Sequence, residues 1–212
     1  MADPIVYGPA FSTFVRTSRL ALEEKGVPYA LEEFNFLEGG MPPEQLERHP
    51  FGKVPAFEHD GFQLYETCAI GRYVDEAFSG PALQPEDPRE RARMTQVISL
   101  LDWYTYRPTI GCVVIQRLVV PMLGGEPDEA AIKEALPEVT RAMQVLDGLA
   151  AGQPYLAGSA LSLADLHLIP IYAYLSATPE SENVLADKSN LRRWWDNLSG
   201  RDSVKATQPH LG

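Results

Sequence analysis

Cysteine is nearly missing from this chain: Cys68 and Cys112 are the two among 212 residues, far apart and outside any Cys-x-x-Cys pattern. That argues against a disulfide framework, a structural zinc site and a dithiol redox motif, and no metal is expected. Long apolar runs are missing too. The longest lies near residues 110–122 and is interrupted by Gln116 and Arg117, whereas a membrane span needs about 20 mostly apolar residues. Met1-Ala2-Asp3-Pro4 offers neither a basic nor an apolar leader region, so the expectation is no secretory signal, no membrane contact and a cytoplasmic location. Positive charge is scarce. Eighteen Lys and Arg against 29 Asp and Glu leave a net charge of −11, a field that repels phosphate backbones and argues against nucleic acid as a partner. Internal repeats and low-complexity tracts are absent as well.

What is present divides at Ser79-Gly80-Pro81-Ala82-Leu83-Gln84-Pro85-Glu86-Asp87-Pro88, a stretch too rich in proline to continue a helix. The sequence thus predicts a domain over 1–79, a linker over 80–87 and a second domain over 88–212. Before the seam, Ile5-Val6-Tyr7 reads as a buried strand. A helix follows from about Ser12, stopped at Gly26 by the left-handed conformation glycine favours. Residues 29–36 read as a second strand whose alternation slips, as at a bulge or a sheet edge. Residues 54–57 and 62–65 flank His59-Asp60-Gly61, a hairpin signal. Ala69, Ile70, Tyr73, Val74, Ala77 and Phe78 then share one helical stripe. After the seam only helices are predicted. Asp87-Pro88-Arg89-Glu90 opens one that should run to about Tyr106 and stop before Pro108. Another covers 129–149, kinked or split at Pro137. Ser162-Leu163-Ala164-Asp165 caps an apolar helix through 175, kinked at Pro170, and a last helix carries Leu191, Trp194, Trp195 and Leu198.

Several features before the seam have chemical meaning. Val54-Pro55 leads into the hairpin. Proline cannot donate to a sheet ladder, so it is expected at an edge, and a cis bond there would expose the Val54 backbone to an extended peptide; an ordinary edge proline is the plainer alternative. Glu66-Thr67 stands just before a helix. Thr67 is a good N-cap and Glu66 a carboxylate for a ligand ammonium, while the helix start attracts a ligand carboxylate. Ser12, at the start of the first helix, lacks the surroundings of a hydrolase nucleophile. Its hydroxyl can donate to a bound thiolate or simply cap the helix, and the helix field helps ionise sulfur whose free pKa is about 8.5. Lys53 could reach a ligand carboxylate. Phe51, an aromatic in a polar loop, reads either as an anchor in a partner subunit or as a side chain folded onto its own core. Cys68 reads as a small buried side chain rather than a reactive thiol.

Taken in order, Tyr7-Gly8-Pro9-Ala10-Phe11-Ser12, Leu22-Glu23-Glu24-Lys25-Gly26-Val27, His49-Pro50-Phe51-Gly52-Lys53-Val54-Pro55-Ala56-Phe57 and Tyr65-Glu66-Thr67-Cys68-Ala69-Ile70 resemble the thioredoxin-like half of cytosolic glutathione transferases, above all the phi-like group and its bacterial relatives. Ser162–Asp165 is similar to that family's capping box, and Trp103 falls where such proteins often carry an aromatic. The resemblance implies an α/β thioredoxin-like N-terminal domain followed by an all-α helical bundle. It implies that Ser12 donates to the glutathione sulfur and that Val54 pairs with the cysteinyl backbone beside cis-Pro55. It further implies that Glu66 and Thr67 hold the γ-glutamyl end, that Lys53 holds the glycyl carboxylate, and that Phe51 is the key of a homodimer. Two positions depart from the phi pattern. Gly40 and Met41 stand where basic loop residues occur, and Cys68 stands where arginine is frequent.

The leading expectation is therefore a glutathione transferase that presents the thiolate to small hydrophobic electrophiles. Its apolar pocket is expected between the domains, with Phe11, Trp103, Tyr104 and Tyr106 as candidate walls. Glutathione is the co-substrate, and no redox cofactor is needed. The alternatives are glutathione-dependent peroxide reduction, dehalogenation or isomerisation on the same scaffold, or a non-catalytic assembly or storage module. Ser12, where redox relatives carry cysteine, disfavours disulfide exchange.

Overall fold

The computed structural model describes residues 2–209. The chain divides into two compact units: one holds the described residues up to Gln84 together with those from Gly200 onward, and the other is Pro85–Ser199. The seam thus falls inside the predicted linker, but residues 200–209, expected in the helical domain, belong with the first unit.

In the first unit, β1 (Ile5–Tyr7), β2 (Ala30–Glu32), β3 (Ala56–His59) and β4 (Phe62–Tyr65) form a sheet in the order β2-β1-β3-β4. β1 runs parallel to β2 and antiparallel to β3, which pairs antiparallel with β4. Asp60 and Gly61, at φ 49° and 78°, make the tight turn of the β3–β4 hairpin, and His59 lies inside β3 opposite Phe62 rather than in the turn. Helices α1 (Thr13–Lys25) and α4 (Thr67–Ala77) pack against each other. Val15, Leu20 and Leu22 of α1, Ile70 and Val74 of α4, and Val6 and Phe57 of the sheet are all but fully buried. α1 ends as predicted, with Gly26 at φ 67° returning its N–H to the carbonyls of Glu23 and Leu22.

Two expectations need correction here, and one element was not expected. The second strand is three residues at the sheet edge, not eight, because Asn35 accepts from the Leu37 N–H at 3.0 Å and opens a short helix, α2 (Phe36–Gly39). A second short helix, α3 (Pro43–Arg48), follows it unforeseen. Pro55 is not on an edge strand: it directly precedes β3, which has neighbours on both sides, so its missing N–H costs the ladder nothing. The end of α1 is tied to the seam by Lys25. Its ammonium donates to the Asp75 carboxylate and to the carbonyls of Asp75 and Pro81, each at 3.1 Å, with both charged side chains buried.

The second unit is helical. α5 (Pro88–Leu100) begins at Asp87, whose carboxylate accepts from the N–H groups of Arg89 and Glu90. It does not stop before Pro108. It continues through two wide-turn segments, π1 (Leu101–Thr105) and π2 (Arg107–Val119), into α6 (Val120–Met122). A proline in a regular helix loses a hydrogen bond and collides with the preceding turn, and a wider turn relieves that crowding. Thr105 supports the widening by donating to the Leu100 carbonyl five residues back, at 3.0 Å. α7 (Glu129–Leu149) passes unbroken through Pro137. α8 (Leu163–Ser176) is apolar and buried around its whole circumference, the mark of a central helix. At its start Asp165, fully buried, accepts from Leu156 N, Ser162 N, Ser162 Oγ and the Trp194 indole, at 2.8 to 2.9 Å. Short α9 (Ser181–Val184) precedes α10 (Ser189–Leu198), whose first N–H groups are satisfied by Asp147 of α7. The predicted last helix is therefore not the last. α11 (Asp202–Ala206) follows and belongs to the first unit, where Arg201 grips Glu24 at 2.6 and 2.7 Å. Among the described residues no helix is long and apolar enough to cross a membrane.

Candidate functional site

Strand register gathers the candidate residues of the first unit. Glu32, Tyr7, Ala56 and Tyr65 form one row across the four strands. Just beyond it, at one end of the sheet, lie Gly8 with the turn to Ser12, Val54-Pro55, and Glu66-Thr67. Two helix N-termini therefore flank the Val54–Pro55 peptide bond, which is cis. Gly8 makes the close approach possible. At φ 137° it carries no side chain, and a Cβ there would lie 2.7 Å from Val15 Cγ2 and 3.0 Å from Val54 Cβ.

Ser12 is the N-cap of α1 and half-buried; its Oγ accepts from the Val15 N–H at a long 3.4 Å. Capping uses the oxygen and leaves the hydroxyl proton to donate, so the two readings of Ser12 are compatible. At the second helix start the N-cap is Glu66, not Thr67. Thr67 is the first helical residue and is buried, and no side chain caps α4. Glu66 is exposed with φ 72° and ψ 112°, a conformation costing a non-glycine residue on the order of 1–3 kcal/mol and concentrated at ligand clamps. Lys53 is exposed; its carbonyl accepts from Gln45 Nε2 at 2.8 Å, which fixes the loop beneath its side chain.

Phe51 does not fold onto its own core: it is 73% exposed, grazing His49 and Tyr65 edge-on at 6.3 and 6.5 Å between ring centroids. Cys68 is exposed rather than buried. Helical residues advance about 100° each, so a side chain two positions before Ile70 points away from the buried stripe. Gly40 and Met41 join α2 to α3 and bring no basic group. Among the candidate pocket walls, Phe11 packs against Phe36 at 5.9 Å in the first unit. In the second, Trp103 and Tyr104 project from π1 at 80% and 68% exposure, and Tyr106 at its end is half-buried. Widened helical turns are frequent at functional sites. The residue the sequence reading missed is His49, buried beside Tyr65, with a ring-centroid distance of 4.8 Å. No group of His, Cys, Asp and Glu among the described residues could hold a metal ion.

Known proteins resemble this chain in both of its units. The model of the glutathione S-transferase N-terminal domain matches residues 6–82, and that of the C-terminal domain residues 94–202. Glutathione S-transferase F13 of Arabidopsis thaliana is 32% identical, covering 97% of this chain and 95% of its own length. Glutathione S-transferase 1 of Zea mays is 34% identical over the same shares. Among solved structures, glutathione transferase F7 from Populus trichocarpa superposes with a TM-score of 0.86 at 29% identity, covering 96% of this chain and 97% of that one. Glutathione S-transferase I from maize, solved with an atrazine glutathione conjugate, gives 0.84 at 31% identity, with shares of 97% and 96%. By both domains and over nearly its full length, the chain belongs to the glutathione S-transferase family.

Proposed function

We propose that this protein is a glutathione transferase of the phi-like kind, with Ser12 as its catalytic residue, joining the glutathione sulfur to small hydrophobic electrophiles. The observation that carries the reading is the row at the sheet end. From β1 across β3 to β4 are two strand spacings, roughly 10 Å, and an extended tripeptide is also about 10 Å long. Glutathione laid across the row puts its sulfur near Ser12 and its γ-glutamyl end near Glu66. The Val54 backbone pairs with the cysteinyl residue. Glu66 accepts from the ligand ammonium, and the α4 start with Thr67 receives the neighbouring carboxylate. Lys53 meets the glycyl carboxylate as a mobile charge, the task of basic loop residues that Gly40 and Met41 do not supply.

Catalysis needs little more than this placement. The Ser12 hydroxyl donates to the sulfur and the α1 N-terminus adds a favourable field, so the thiolate is populated near neutral pH. The sulfur then attacks the electrophile, whose leaving group departs or whose double bond takes up the electron pair. Exposed Trp103 and Tyr104 of the second unit offer apolar surface for such electrophiles. Maize glutathione S-transferase I, solved with an atrazine glutathione conjugate, supports this class of reaction. Exposed Phe51, with Tyr65 edge-on beside it, supports a homodimer in which Phe51 enters the partner.

Replacement of Ser12 by Ala tests the assignment. Turnover of an aryl halide should fall about 100-fold, the scale of losing one donor to a developing anion, while glutathione affinity stays within a few-fold. Unchanged turnover would show that another group activates the sulfur.

A further inference from the structure

We propose that His49 is a positioning residue of this glutathione site: as a neutral imidazole it leaves the Glu66 carboxylate to the ligand's ammonium, and as an imidazolium it competes for that carboxylate and loosens the ligand. The proposal rests on the glutathione reading above and assigns a group that reading does not use.

His49 is held rigidly. It caps the C-terminus of α3, its N–H donating to the Gln45 carbonyl at 2.7 Å and its own carbonyl accepting from Gly52 N at 2.8 Å. The side chain is 3% exposed and lies against Tyr65, the residue before Glu66. Its Nδ1 is buried without a hydrogen-bond partner. One helical turn earlier Gln45 is fully buried, with Nε2 on the Lys53 carbonyl and Oε1 also unpartnered. A buried polar atom without a partner is costly, so two of them in and just after one short helix, beneath the segment that carries Lys53 and Val54, are a poor choice for packing alone.

The charged groups whose fields reach the ring are Glu66, from the β4–α4 joint, and Lys53, from its own loop; the Tyr65 phenol of β4 is the titratable group packed on it. Burial acts most strongly and lowers the His49 pKa below its ordinary 6.5; Glu66 and the ring's interaction with its own backbone oppose this, and Lys53 assists. The ring is therefore neutral at pH 7 and gains its proton only as pH falls beneath the usual histidine range.

The test is calorimetric binding of S-methylglutathione, which carries no titrating thiol, to the full chain between pH 7 and pH 5. The α-carboxyl and α-amino groups of such a ligand ionise outside that window. The wild-type protein should lose roughly five- to tenfold in affinity, the scale of two nearby charges in a partly screened setting. His49→Asn should lose the slope, its affinity at pH 5 staying within about twofold of its own value at pH 7. An equal slope in the variant, or a flat wild-type profile, overturns the proposal while leaving the glutathione reading intact. Absence of binding at every pH sinks both. Should His49→Asn fail to fold, the imidazole titration of wild-type His49 followed by NMR decides. Ligand that neutralises Glu66 should lower that pKa, and an unmoved one overturns the proposal.

Discussion

The two units assemble their important residues by opposite means. In the first, strand register brings three loops to one end of a small sheet, so position along the backbone decides what meets a ligand. In the second, a fully buried helix and one hydrogen-bonded hub set the structure, while Trp103 and Tyr104 project exposed from a widened turn. The candidate residues of the first unit belong to its frame, and these two of the second stand on its surface.

The comparison is broken most severely at Asp165. Its carboxylate alone serves Leu156, Ser162 and the Trp194 indole, so Asp165→Ala should cost about 3–5 kcal/mol, as for removing one member of a buried charged network. Urea unfolding measures it, and a loss under 1 kcal/mol would mean that the helical unit has no such hub. The matching lesion in the first unit is Gly8→Ala. The added methyl meets Val15 and Val54 at a backbone angle suited to glycine, costing about 2 kcal/mol. Here glutathione affinity should fall along with stability, because Val54 is displaced; intact affinity would detach Val54 from the site. The smallest effect is expected at Trp103→Ala. An 80% exposed side chain should change stability by less than about 0.5 kcal/mol, yet turnover of apolar electrophiles should drop severalfold at constant glutathione affinity. A change confined to stability would remove Trp103 from the substrate surface.

Sequence legibility differed in the same way. Caps written into consecutive residues were readable: Ser12, Gly26, Asp87 and the Ser162–Asp165 box all act where their local chemistry predicts. The order of the motifs also carried the fold, since each precedes or follows a strand at a fixed spacing. Features decided by distant partners were not readable. Pro108 lies inside a continuing helix because the turns around it widen, which no local propensity announces. The apolar character of Cys68 suggests burial, but its angular position puts it on the outer face of α4. Thr67 yielded the cap position to Glu66 because the backbone reverses one residue earlier than side-chain preference indicates. His49 was passed over inside a motif whose loop reads as polar and exposed, and only the packing of Tyr65 reveals that its ring is interior.

The return of residues 201–206 to α1 has a consequence for how the chain can be divided. In sequence the helical unit is an insertion, entered from the first unit at the seam and left toward it again. Glu24, whose side chain is only 6% exposed, takes Arg201 and Ser203 as partners across some 177 to 179 positions of chain. A fragment cut at the proline-rich seam would thus carry the whole sheet but strand an interior carboxylate, so the smaller unit is closed only by residues that follow the entire helical unit in the chain.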